Sequence, residues 1–118
     1  MSTQDEQTTL AQLKEQIREF VDARDWNQFH APKNLSMSLA IEVAELMEHF
    51  QWISVEESRQ LKSDPARLQA IGEEIADVFA YLLALANALD LDLAETFTRK
   101  MAKTIAKYPA DQFRGRYQ

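Results

Sequence analysis

Cysteine is absent from this sequence, and with it disulfides, thiolate-bound zinc and cysteine nucleophiles. Only two glycines and three prolines punctuate the 118 residues, and no run alternates with strand period, so the expected class is all-α. The longest uncharged run, Val78 to Leu89, is too short to cross a bilayer. The first nine residues carry acids and no basic residue, unlike a secretory signal, which leads to the expectation of a cytoplasmic protein with no membrane partner. A net charge of −6 argues against a nucleic-acid polymer as partner. The positive charge is gathered at the C-terminal end, where Arg99, Lys100, Lys103, Lys107, Arg114 and Arg116 are offset by Asp111 alone, a distribution suited to contacting a small polyanion.

With 46% hydrophobic residues, the chain can bury about 65% of its unfolded surface as one domain. Residues 1–8 read as a flexible N-terminus, 9–109 as the domain and 110–118 as a loose polar tail. Thr9 and Gln12 form a capping box for a first helix to about Arg24, with Leu10, Leu13, Ile17, Phe20 and Val21 as its apolar stripe. Residues 25–33 (DWNQFHAPK) form a connector rich in aromatic rings, within which Phe29 is expected as a core anchor. A second helix is predicted from about Leu35 to Trp52, and a short one, capped by Ser54 and Glu57, through Leu61. Asp64 as N-cap and Pro65 as first residue start a helix reaching about Leu89. Asp92 and Glu95 cap another that ends near Lys107 as Pro109 approaches. On this last helix Phe97, Met101 and Ile105 mark an apolar side, and Thr96, Lys100, Lys103 and Lys107 a polar one.

Two acid pairs stand at helical spacing, Glu42-x-x-Glu45 and Glu74-x-x-Asp77. Residues three apart share a helix face, so each pair aims two carboxylates at one point. From Ile75 to Leu89 the only charge is Asp77, and a helix apolar all round is expected to be buried, its acid with it. If the two helices face each other, four carboxylates converge, and each like-charge pair at roughly 5 Å costs about 3 kcal/mol at an effective dielectric near 20. A divalent cation on oxygen ligands relieves that repulsion and leaves the acids ionised, which points to Mg²⁺, with Mn²⁺ as a substitute. A di-iron bundle would use Glu-x-x-His, and neither helix has one. His30 and His49 are therefore assigned hydrogen-bonding or structural roles, since hard oxygen sites rarely need imidazole. Trp26 and Trp52, near polar loop ends, are candidates to stack a planar base.

These residues resemble the all-α nucleoside triphosphate pyrophosphohydrolases of the MazG type, and most closely the single-domain dCTP pyrophosphatase branch. The acidic signature of that family is a Glu-x-x-Glu followed by a Glu-x-x-Asp, matched here by Glu42, Glu45, Glu74 and Asp77. RDWNQFHAPKNL at 24–35, FQW at 50–52, DVFAYLLAL at 77–85 and the KM…KYP pattern at 100–109 extend the likeness. The resemblance implies a four-helix-bundle-like fold and a homodimer or homotetramer. It implies Mg²⁺ held by the four acids, a nucleoside pocket lined by Trp26, His30, Trp52 and Tyr81, and Lys100 near the phosphates. Two departures stand out: Thr104 where the family often has asparagine, and Lys107, which keeps charge but lacks the bidentate fork of arginine.

The expected activity is hydrolysis of a (deoxy)nucleoside triphosphate, dCTP-like, between the α and β phosphates, giving the monophosphate and pyrophosphate. Glu45 is assigned as the group that takes the proton of the attacking water, and Lys100, with Lys103, as the cations that offset charge on the leaving group. The alternative is a nucleotide-binding or scaffolding bundle with little turnover.

Overall fold

A computed structural model describes residues 3–116. Its elements are α1 (Leu10–Ala23), α2 (Pro32–Glu48), α3 (Val55–Arg59), a 3₁₀ turn (Leu61–Ser63), α4 (Pro65–Ala88), α5 (Leu93–Lys107) and α6 (Ala110–Phe113), with no strand among the described residues. The all-α expectation holds, and the predicted caps are in place. The Thr9 hydroxyl accepts from the Gln12 amide at 3.1 Å while Thr9 N–H donates to Gln12 Oε1 at 2.7 Å. Ser54 and Glu57 repeat that reciprocal pair, and Asp64 and Asp92 accept from Arg67 and Glu95 N–H. α2 begins three residues before its expected start, because Pro32 sits at the first helical position, where its missing N–H goes unneeded. It ends at Glu48, short of Trp52: the N–H groups of His49, Phe50 and Ile53 reach back three residues and the ladder tightens into turns. The segment expected to be a loose tail carries the single turn α6; Met1, Ser2, Tyr117 and Gln118 lie outside the described residues.

With glycine scarce, aspartate takes the left-handed position that closes two helices. Asp25 and Asp90 both have φ of 52°. Around Asp25 the Trp26 N–H reaches Val21 O at 3.0 Å and the Asp25 N–H reaches Asp22 O at 3.1 Å. Around Asp90 the Leu91 N–H reaches Ala86 O at 2.9 Å and the Asp90 N–H reaches Asn87 O at 3.2 Å. Both are the paired bonds of a Schellman ending. They set the directions in which the aromatic connector and the link to α5 leave their helices.

α4 is the hub, packing along α2 and against α1. The core is small: Val21, Leu35, Leu61, Ile71, Leu83, Ala84 and Ala86. Side chains tie α1 to the C-terminal part of α4, where Asn87 Nδ2 donates to Lys14 O at 3.0 Å and Lys14 Nζ to Leu91 O at 2.7 Å. The long helix is not buried all round as its composition implied. Ile75 is 52% exposed, and Phe79 and Leu82 are also open, because α1 and α2 cover only part of its circumference. α5 contributes no buried residue, and Phe97 on its apolar side is 67% exposed. Phe29, expected as a core anchor, is exposed as well. The connector that carries it runs over the surface, and α1 and α2 meet α4 without needing its ring. The Cα radius of gyration, 17.3 Å, exceeds the about 13–14 Å typical of a compact chain of this length.

Candidate active site

The packing of α2 on α4 brings together Glu42 and Glu45 from one helix and Glu74 from the other, with one carboxylate oxygen of each within 4.8 Å of the others. Glu42 and Glu74 are half-buried, and the Oε2 atom of each is closed to solvent with no hydrogen-bond partner. A buried carboxylate oxygen without a donor is unfavourable, and three carboxylates at this spacing repel one another. Burial, followed by the influence of Glu45, Asp77 and Glu74, raises the Glu42 carboxyl above its ordinary pKa. Burial, followed by Glu45 and Asp77, raises Glu74, against a smaller opposing pull from His49. The ion pairs among the described residues join Arg18 to Glu15, Arg59 to Glu56 and Arg99 to Glu95, and none of them involves this cluster. Hard oxygen donors of like charge, two with an orphaned atom, form a donor set that fits a divalent cation such as Mg²⁺ or Mn²⁺.

Asp77 acts on Glu42 and Glu74 through its charge yet is exposed, which corrects the expectation that it is buried. α1 and α2 cover α4 only in part, and Asp77 keeps its access to solvent. Tyr81, one turn further along α4, is half-buried. Trp26 and His30 lie at the N-terminal end of α2, with ring centroids 6.4 Å apart, and Phe20 meets Trp26 edge-on at 5.5 Å. Trp52 lies past the other end of α2 and is 86% exposed. The 17 residues of that helix span about 26 Å, so Trp26 and Trp52 of one chain do not face a common ring. Lys100 and Lys103 are exposed on α5, Thr104 gives its hydroxyl to Lys100 O at 3.1 Å, and the Lys107 ammonium lies over the Tyr108 ring at 5.3 Å. One chain therefore assembles the acids, places Trp26 and His30 at one end of α2, and leaves Trp52 and the α5 lysines facing outward.

A cavity of about 190 Å³ lies between α1, the connector and the C-terminal half of α4. His30 reaches its wall, and Ile17, Val21, Ala84 and Ala88 supply its apolar surface. Sequence reasoning missed its polar groups, Arg18, Asp22, Asn27 and Asn87. They come from segments up to 69 positions apart, and no local motif announces them.

A model of the MazG-like family matches residues 37–117, and the chain belongs to that family. It is 40% identical over 107 residues to dCTP pyrophosphatase 1 of Mus musculus, covering 91% of this chain and 63% of that protein. It is 40% identical over 102 residues to dCTP pyrophosphatase 1 of Homo sapiens, covering 86% and 60% respectively. The chain thus spans about three-fifths of the length of these relatives. A crystal structure of a pyrophosphatase from Archaeoglobus fulgidus is similar in fold, with a TM-score of 0.77 and 40% identity over 92% of this chain and 99% of that one. No helix among the described residues is long and apolar enough to cross a membrane.

Proposed function

We propose that this protein hydrolyses a (deoxy)nucleoside triphosphate of the dCTP type between its α and β phosphates, releasing the monophosphate and pyrophosphate. The observation that carries this reading is the cluster of Glu42, Glu45 and Glu74, whose oxygens lie within 4.8 Å of one another and include two buried atoms without partners. These residues, with Asp77 alongside, would hold Mg²⁺. When bound, the ion supplies neutralisation of phosphate charge and polarisation of a water. Glu45 is the exposed member, and its carboxylate takes the proton as the water oxygen bonds to the α phosphorus. The bond from phosphorus to the bridging oxygen breaks, and its electron pair leaves with pyrophosphate. Tyr81, Trp26 and His30 flank the path of the nucleoside along α4, away from the acids.

The lysines enter from elsewhere. α5 buries nothing in its own chain, the apolar flank of α4 is open, and the chain is more extended than a compact domain. A homodimer or homotetramer closes these faces and supplies Lys100 and Lys103, together with Trp52, to a neighbouring site. A panel of canonical and modified triphosphates, assayed with and without Mg²⁺, tests the proposal. Mg²⁺-dependent release of pyrophosphate is the expected result; release of orthophosphate, or no turnover on any member, overturns it.

A further inference from the structure

The cavity between α1 and α4 stands on the same line of α4 as Asp77. Asp77, Ala84 and Ala88 follow at steps of seven and four residues, with Ala84 and Ala88 each about 20° to either side of Asp77 around the helix, and Ala84 lies about 10 Å beyond Asp77. That is the order of reach of a nucleoside 5′-phosphate from its phosphorus to the far edge of its base. Small side chains keep the space open: Ala84 is buried at its floor, and no larger group from α1 fills it.

The polar groups on the wall are held in fixed orientations. Asn87 Oδ1 accepts from Arg18 Nη2 at 3.0 Å while its Nδ2 donates to Lys14 O, which fixes the sense of the amide. Arg18 is itself tied to Glu15. Asp22 Oδ1 accepts from Asn27 Nδ2 at 2.6 Å, leaving the second carboxylate oxygen as an acceptor. Arg18 has five N–H groups and uses one on Asn87 and one on Glu15, so donors remain. The wall thus pairs a carboxylate acceptor with guanidinium and amide donors. A base edge that complements it carries an exocyclic amino group beside ring nitrogen and carbonyl acceptors. Cytosine has that edge; uracil and thymine present a carbonyl where the amino group would be.

We infer that Asp22, with Arg18 and Asn87, determines base specificity by reading the amino-pyrimidine edge of a nucleotide seated in this cavity. The inference rests on the proposed hydrolysis for its kinetic readout and has a second readout that does not. Free deoxycytidine at millimolar concentration should shift the methyl resonances of Ala84 and Ala88, and deoxyuridine should shift them far less. In steady-state assays, Asp22→Ala should lower the ratio of kcat/KM for dCTP over dUTP by roughly five- to a hundredfold, the usual range for one base-edge contact. Asp22 is exposed, so the variant is expected to fold, and a circular-dichroism melt checks this. Ala84→Leu, which fills the cavity, should remove the deoxycytidine shifts while leaving the Mg²⁺-induced rise in melting temperature. If no triphosphate is hydrolysed but deoxycytidine still shifts the cavity methyls selectively, the hydrolase reading fails and the base site stands. If dCTP is hydrolysed while deoxycytidine leaves those methyls unmoved, or if Asp22→Ala leaves the dCTP to dUTP ratio unchanged, the base site is overturned.

Discussion

Replacing Glu42 by glutamine should make the metal-free protein more stable and the metal-loaded protein less so. Two full charges at 4.8 Å, the limit within which the cluster's oxygens lie, repel by about 3.5 kcal/mol at an effective dielectric of 20 and about 0.9 kcal/mol at 80. Glu45 is exposed and Glu42 only half-buried, so the pair sits toward the aqueous limit and relief of its repulsion is worth about 1 kcal/mol. The new amide adds a donor where Glu42 Oε2 has no partner. For a chain of this size that corresponds to a gain of about 3–5 °C in Tm. With Mg²⁺ the order reverses, because a ligand present at a hundred times its Kd stabilises the folded state by about 2.7 kcal/mol, and the variant has lost a donor to it. Thermal melts at pH 8, first in EDTA and then across a Mg²⁺ titration, should give two curves that cross. A variant that melts below wild type in EDTA and shows an equal rise with Mg²⁺ would refute the assignment of Glu42 to a repulsive metal-binding cluster.

The metal-free protein should lose stability as pH rises. Glu42 and Glu74 have folded-state pKa values above their ordinary one, so between the unfolded and folded values the native state holds more protons, and Tm in EDTA should fall from about pH 4.5 upward; a Tm that climbs over that interval contradicts the arrangement. Asp25→Gly should stabilise the chain by about 0.5–1 kcal/mol in urea titrations, because Asp25 holds a left-handed φ that glycine adopts without a Cβ penalty; destabilisation would mean that the carboxylate contributes more than its backbone costs. Ile105→Glu, on the open side of α5, should leave helical content unchanged and lower the mass seen by light scattering; an unchanged assembly would remove α5 from the contact between copies.

Local rules carried the sequence reading where the determinants were local. The boxes at Thr9 and Ser54 and the Asp64 cap before Pro65 depend on neighbours within one turn, and all stand where the spacing placed them. The meeting of Glu42 and Glu45 with Glu74 needed only that two helices face each other. What the sequence did not reveal lies in relations between distant segments. Arg18 finds Asn87 across 69 positions, and neither residue has a distinctive local context. Burial of α4 was overread for a related reason: composition tells how much apolar surface a helix has, whereas the number of neighbours in one chain decides how much is covered. The separation of Trp26 from Trp52 was within reach of arithmetic, since 17 helical residues lie between their connectors.

The open flanks of α4 and α5 also bear on how output follows abundance. Where catalytic cations and apolar cover arrive only with a second copy, the working unit forms in proportion to a power of chain concentration greater than one. At chain concentrations near or below the dissociation constant of the assembly, halving the chain would then remove more than half of the activity, and doubling it would more than double the rate. A hydrolase built in this way would respond more than proportionally to its own abundance, so that a change in expression would become a larger proportional change in turnover.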